Sequence, residues 1–379
     1  MVLDTTTPPT VRLATRIRDA ARARGVDDAL SARPDDDALR HLGDAAARGG
    51  AGPLAERLRA IRTWLAGDLA EVESELGAHA PANGDLAERA ARHLLTLPGK
   101  RIRPLCVVLA ARFGDPDADA VRDVAVAAEL THAATLLHDD VIDLATSRRG
   151  APAANVVFGN TASVLGGDHL LIAALRRATT PEHPELLAEL IDTIGEMVAA
   201  EAVQLANRAR FDPSEASYHA VVRGKTAALF RWALRAGGAL AGLDQRRRDA
   251  LGRAGTALGF AFQLVDDALD LAEDAVTGKD LAADLREGKL TWPLLVACER
   301  DAGLRGALRA AFDGGLSLDE AAVSAELVDR VRATGAVEAT RERARAFARA
   351  AQVELAALPA GPSREALEAV IGAAVARNH

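Results

Sequence analysis

Residues 129–150 read ELTHAATLLHDDVIDLATSRRG, and residues 262–270 read FQLVDDALD. Each stretch sets three aspartates at i, i+1 and i+4 inside apolar sequence: Asp139, Asp140 and Asp143 beside Leu136, Leu137 and Ile142, then Asp266, Asp267 and Asp270 beside Leu264, Val265 and Leu269. At 3.6 residues per turn, i and i+4 share a helix face and i+1 flanks them, so each triplet is a compact carboxylate cluster. Like charges this close raise one another's pKa and destabilise a bare helix unless cations share the site. Two all-aspartate copies in apolar flanks are hard to read as solvated surface.

Outward from these segments the helical period continues. Leu54, Leu58, Ile61, Leu65, Leu69, Val72 and Leu76 step by three or four, with Pro53 suited to a first turn and Gly77 to an end. Pro98-Gly99 breaks a helix, Pro104 opens the next and Gly114 closes it. A long helix is expected over Asp119–Leu144, and others over Thr161–Arg177, Glu185–Arg208, Ala216–Leu240, Gln245–Glu273 and Lys289–Arg300. No alternating strand pattern competes, so the reading is one all-α domain over residues 54–379. Residues 1–53 differ: they hold eight Arg and eight Asp but no Lys or Glu, and are read as a weakly ordered extension with one or two short helices. Its interleaved aspartates argue against a transit peptide.

Composition narrows the classes. Of 379 residues, 49% are hydrophobic and 26% charged, ordinary for a globular protein, while 3% aromatics imply a core of Ala, Leu and Val suited to close-packed helices. A net charge of −8 disfavours nucleic acid. Two cysteines, Cys106 and Cys298, in apolar stretches build neither a disulfide framework nor a zinc site, which fits a reducing compartment. With no apolar run of membrane-spanning length and no signal peptide, the expectation is a soluble, cytoplasmic protein, at most peripheral to a membrane.

Hard oxygen ligands without a Cys/His quartet point to Mg²⁺, which usually completes its shell with phosphate oxygens. Matching cations are present: Lys100, Arg101 and Arg103 after the helix break, Arg148 and Arg149 just after the first aspartates, and Lys225, Lys279 and Lys289 around the second. Together with the aspartates they describe an anion clamp, with cations of the kind suited to diphosphate.

The segments LPGKRIRP (97–104), ELTHAATLLHDDVIDLATSRRG, FGNTASVLGGDHLL (158–171), GKTAALF (224–230) and FQLVDDALDLAEDAVTGKDLAADLREGKLTWPLL (262–295) resemble, in order and spacing, the trans-isoprenyl diphosphate synthase (polyprenyl synthetase) family. The resemblance implies an isoprenoid synthase-type bundle of ten or more helices around a central cavity, working as a homodimer. It implies that two aspartate-rich helices hold three Mg²⁺ on an allylic diphosphate, whose ionisation lets isopentenyl diphosphate add head-to-tail.

Carried over, Asp139, Asp140, Asp143, Asp266, Asp267 and Asp270 are metal ligands. Lys100, Arg103, His132 and Arg149 contact isopentenyl diphosphate, and Arg148, Lys225, Thr226, Gln263, Lys279 and Lys289 the allylic diphosphate. His132 lies two turns before Asp139 on the same face. Pro98-Gly99 stands where the family usually has Gly-Gly. Small residues at Ala134, Thr135, Thr131, Ala128 and Ala127, up to three turns before Asp139, leave the tail's path open. At about 5.4 Å per turn, close to one isoprene unit, that favours a long product of about C30–C50. The alternatives are a geranylgeranyl or farnesyl diphosphate synthase, a class I terpene cyclase, and a non-catalytic synthase subunit. The intact second aspartate cluster and PGKRIRP disfavour the last two.

Overall fold

The computed structural model describes residues 38–79, 83–179, 182–208, 210–272, 283–313 and 321–376. In chain order the helices are α1 (Ala38–Arg48), α2 (Gly52–Trp64), α3 (Ala66–Ala78), α4 (Leu86–Leu95), α5 (Ile102–Ala111), α6 (Ala118–Ile142), α7 (Ala154–Phe158), α8 (Asn160–Ala178), α9 (Pro184–Arg208), α10 (Glu215–Val222), α11 (Ala228–Leu240), α12 (Gln245–Asp270), α13 (Ala283–Arg286), α14 (Trp292–Arg300), α15 (Ala302–Phe312), α16 (Ala321–Ala333), α17 (Ala336–Leu355) and α18 (Pro362–Val375). The only strands among the described residues are β1 (Ser147–Arg148) and β2 (Ala151–Pro152), a minimal antiparallel hairpin. The all-α expectation holds.

Two long helices carry the aspartates. Asp117 starts α6 by accepting from the Asp119 amide, and Asp244 starts α12 by accepting from the Arg247 amide at 2.9 Å, satisfying amides that a helix N-terminus leaves free. Both run through the main core, where Val124, Leu130 and Leu137 of α6 and Leu251, Leu258 and Ala261 of α12 are fully buried. Phe230 and Trp232 of α11 fill the space beside them, and the indole N–H of Trp232 donates to the Leu186 carbonyl. A second cluster (Leu294, Leu304, Leu308, Leu327, Val331) is built by α14 to α16.

Three expectations change in detail. The single helix expected from Leu54 to Leu76 is broken at Leu65, which leaves helical geometry (φ −100°, ψ 9°) while staying buried. Gly67, a poor helix former, follows it, and the bend lets α2 and α3 each bury its own apolar face. The helix expected over Ala216–Leu240 is interrupted by a π-helical turn at Arg223–Ala227. The last expected helix begins at Trp292, since Pro293 belongs in a first turn.

Within residues 1–53, read as a weakly ordered extension, residues 1–37 lie outside the described residues and α1 covers Ala38–Arg48. It is docked: Leu39 and Leu42 are 1% exposed and belong to the main core. No helix among the described residues is long and apolar enough to cross a membrane. Because Leu42 is a buried core side chain, Leu42→Ala is expected to cost about 2–5 kcal/mol. A thermal melt should show a fall of several degrees, and an unchanged melting temperature would mean that α1 is not part of the folded unit.

Candidate active site

A cavity of about 910 Å³ opens between α6, α8, α9, α12 and the segment leading into α5. Asp139 reaches it from α6, and Asp266 and Asp270 reach it from α12. Lys100, Arg103, His132, Arg148, Arg149, Lys225, Thr226 and Gln263 line the same space, together with Thr131, Ala134 and Thr135. Segments far apart in sequence, from Lys100 to Asp270, thus converge as the two motifs require. Leu171, Ile194, Met197 and Phe262 supply its apolar wall.

Local backbone explains how the basic groups arrive. Asp143 caps the end of α6, and Leu144 takes a left-handed conformation (φ 53°) that turns the chain sharply. The hairpin that follows is closed by Arg149 and Gly150, both at positive φ (52° and 80°), the pattern of a type I′ turn. Arg148 then lies back on α6, its Nε donating to Asp140 Oδ1 at 2.8 Å. Asn155 fixes the loop by donating to the carbonyls of Asp140 and Ala145. On the opposite wall the π turn presents Lys225 and Thr226. It fits because Gly224 sits against α9, where a Cβ would stand 2.6 Å from the Ala200 methyl and 2.8 Å from the Glu196 carbonyl. π turns of this kind recur at functional sites.

Each carboxylate of the first triplet has a cationic partner. Lys225 Nζ is 3.3 Å from Asp139 Oδ2 and also pairs with Glu201. Burial pushes the Asp139 carboxyl up against the pull of Lys225. Burial likewise raises Asp140, with Arg148 opposing it. Burial would raise Asp143 too, but Lys289, 3.1 Å away, and Arg208 hold it below the usual carboxylate range. In the second triplet Asp267 is pushed up to about 7 by burial and by Asp284, even though Tyr218, Gln263 and the Trp292 amide all donate to it. Burial and then Arg103, Arg149, Arg101 and Arg148 push His132, which also lines the cavity, well below its ordinary value. Burial also lowers Arg149 to about 10.

The donor set suits a hard divalent cation. It is all oxygen, it comes from two helices facing one cavity, and Asp140 Oδ2 is buried without a hydrogen-bond partner. Among the described residues, no three His, Cys, Asp or Glu side chains are gathered closely enough to hold a metal ion by themselves. Asp139, Asp266 and Asp270 are the aspartates of the two triplets that could offer oxygens to a cation in the cavity.

Several sequence-derived residues sit elsewhere. Asp140 and Asp143 do not line the cavity and are turned toward Arg148, Arg208 and Lys289. Asp267 and Lys289 line a smaller adjoining pocket of about 160 Å³, which shares Lys225, Thr226 and Gln263 with the main cavity. Ala127 and Ala128 are fully buried in the core and do not reach the wall, because α6 is already enclosed by its neighbours there. Lys279 lies outside the described residues. Conversely, Glu201, Arg208 and Tyr218 contact the site without having been singled out. Only Tyr218 carried a signal, as the one tyrosine of the chain. His41 of α1 and Glu129 of α6 also line the cavity.

Comparison with known proteins agrees with this geometry. The polyprenyl synthetase family model matches residues 85–325. The chain is 36% identical over 288 residues to nonaprenyl diphosphate synthase of Mycobacterium tuberculosis, covering 76% of this chain and 85% of that one. It is 35% identical over 323 residues to octaprenyl diphosphate synthase of Escherichia coli, covering 85% and 99%. A crystal structure of polyprenyl synthase from Caulobacter crescentus, complexed with calcium and isoprenyl diphosphate, superimposes with a TM-score of 0.79 at 35% identity, covering 84% of this chain and 97% of that one. The chain belongs to the polyprenyl synthetase family and has its all-α fold. It is a prenyl-transferring enzyme.

Proposed function

We propose that the enzyme condenses isopentenyl diphosphate with an allylic diphosphate, head-to-tail and repeatedly, to a long trans-polyprenyl diphosphate of about C30–C50. The observation that carries this reading is that carboxylates of two separate helices face one cavity also lined by five basic side chains of the expected set. Names of relatives at similar identity, nonaprenyl and octaprenyl diphosphate synthase, support the long product over a C15 or C20 one.

Lys100, Arg103, His132 and Arg149 bind the diphosphate of isopentenyl diphosphate, while Arg148, Lys225, Thr226, Gln263, Lys279 and Lys289 orient the allylic diphosphate. Asp139, Asp140, Asp143, Asp266, Asp267 and Asp270 make up the acidic site for Mg²⁺, three ions by the family's pattern, with Asp139, Asp266 and Asp270 presented to the cavity and Asp140, Asp143 and Asp267 backing them. When bound, Mg²⁺ neutralises charge developing on the leaving diphosphate. The allylic C–O bond breaks with its electron pair going to the diphosphate. The double bond of isopentenyl diphosphate supplies the pair for the new C–C bond, and the resulting cation loses a proton to the released diphosphate. Leu171, Ile194, Met197 and Phe262 keep water from the carbocation.

The enzyme works as a homodimer. Leu165 and Ile172 on α8, and Ile191, Val198 and Leu205 on α9, recur every seven residues along their helices and are exposed, Val198 at 65%. Such a stripe needs a cover, and a second copy presenting the same stripe provides one. Val198 and Leu205 also line the cavity, so the partner would help close the tail's path. Two buried free cysteines fit a reducing compartment, and we place the enzyme in the cytoplasm.

Asp139→Ala and Asp266→Ala should each lower kcat roughly 10²- to 10⁴-fold while far-UV circular dichroism stays unchanged; near-normal turnover would refute the assignment. Ala134→Phe, placed on the cavity wall, should shift product chromatograms to shorter chains, and an unaltered product distribution would remove the tunnel argument. Light scattering should give a dimer for the wild type and a monomer for Val198→Asp. A monomeric wild type would contradict the interface.

A further inference from the structure

Arg101 stands between two residues assigned to isopentenyl diphosphate, Lys100 and Arg103, and borders the same cavity, yet its own side chain is 8% exposed and held by protein groups. Its backbone is left-handed (φ 42°, ψ 34°), unusual for a non-glycine residue, and it forms the N-terminal boundary of α5. The guanidinium is tied on three sides. Nε donates to Glu73 Oε1 of α3 at 2.9 Å, Nη1 to Glu129 Oε1 of α6 at 2.7 Å, and Nη2 to the Leu95 carbonyl at the end of α4 at 2.9 Å. One side chain therefore joins three helices at the point where the chain turns toward the cavity.

Glu129 is 2% exposed and belongs to the wall of the cavity's basic end. Around it stand Lys100, Arg101, Arg103, Arg149 and His132. Charge alone would drive these cations apart. Arg103 lies with its guanidinium 4.7 Å over the Phe230 ring, and its Nε is buried without a hydrogen-bond partner. Lys100 Nζ sits 5.6 Å over the Phe262 ring. These contacts act on the side-chain tips and do not set the course of the backbone that carries them. The fork made with Glu129, Glu73 and Leu95 does, because it holds Arg101, the residue between them. Pro98-Gly99 is consistent with such tight placement: a Cβ on Gly99 would lie 2.6 Å from Arg149 Nη1 and 3.0 Å from Arg101 Nη1.

We propose that Arg101, anchored by Glu129, is the positioning residue of the isopentenyl diphosphate subsite: its buried three-way fork fixes the left-handed turn that delivers Lys100 and Arg103 to one diphosphate. Glu129 supplies the counter-charge that lets the cations crowd there. This rests on the assignment of that subsite to isopentenyl diphosphate. Glu73 is 40% exposed, so its share of the fork is screened by solvent and matters little.

The test rests on two charge-conserving variants of the full-length enzyme, so that altered geometry is read without altered net charge, with Glu73→Gln and Arg103→Ala as controls. For Arg101→Lys, which cannot fork, and Glu129→Asp, shortened by one methylene, KM for isopentenyl diphosphate should rise about tenfold or more. Their kcat at saturation should stay within about threefold and KM for the allylic diphosphate should not move. Glu73→Gln should change KM for isopentenyl diphosphate by less than about twofold. Equal losses for both substrates, or a lowered melting temperature with kinetics intact, would mean that the fork only stabilises the fold and would overturn the proposal. If Glu129→Asp does not fold, Arg101→Lys, which keeps the charge and most of the volume, decides alone. Arg103→Ala separates the two levels: an unchanged KM for isopentenyl diphosphate there refutes the subsite assignment, whereas a raised one with Arg101→Lys unaffected refutes only the positioning role.

Discussion

Placing carboxylates inside an apolar helical bundle is costly, and every distinctive feature of this protein serves to offset that cost. An isolated buried charge is strongly disfavoured, so it must be paired, hydrogen-bonded or neutralised. Asp139 has Lys225, Asp140 has Arg148, Asp143 has Lys289 and Arg208, and Asp267 has Tyr218, Gln263 and the Trp292 amide. These partners come from the hairpin, the end of α9, the middle of α10, the π turn, α12 itself and the segment leading into α14. Arg148 and Lys225 are delivered where the chain departs from a plain α-helix, in the hairpin and the π turn.

The carboxylates nearest the cavity and those behind it divide the work. Asp139, Asp266 and Asp270 face the open space, while Asp140 and Asp267, almost fully buried, are held by neighbours that also touch the cavity. Arg148 joins Asp140 to the substrate side, and Gln263 and Thr226, bonded to each other at 2.8 Å, do the same for Asp267. The basic end mirrors this logic with opposite sign, where Glu129 is the buried counter-ion for a crowd of cations. Preorganised charge of both signs, aimed into a cavity with apolar walls, is the arrangement that makes diphosphate departure easier without reorganising solvent.

Much of this was legible in the sequence, for identifiable reasons. The helices bearing the two aspartate triplets announce themselves by apolar period, and the basic residues of the clamp lie close to them or to a Pro-Gly break. What escaped depends on contacts distant in the chain. Lys225 and Glu201 are 24 residues apart, Arg208 and Asp143 are 65 apart, and Lys289 and Asp143 are 146 apart. No local pattern pairs them. The bend at Leu65 and the π turn at Arg223–Ala227 preserve the helical period closely enough that the apolar pattern runs through both. Ala127 and Ala128 have the right spacing for the cavity wall, but spacing does not reveal that neighbouring helices already cover them.

The measurement that bears most directly on the whole account is mass analysis of the products formed from isopentenyl diphosphate, farnesyl diphosphate and Mg²⁺, with a chelator control. The account predicts a ladder of trans-prenyl diphosphates ending at about C30–C50, abolished when the metal is removed. No condensation, or products that stop at C20 and persist in chelator, would contradict it.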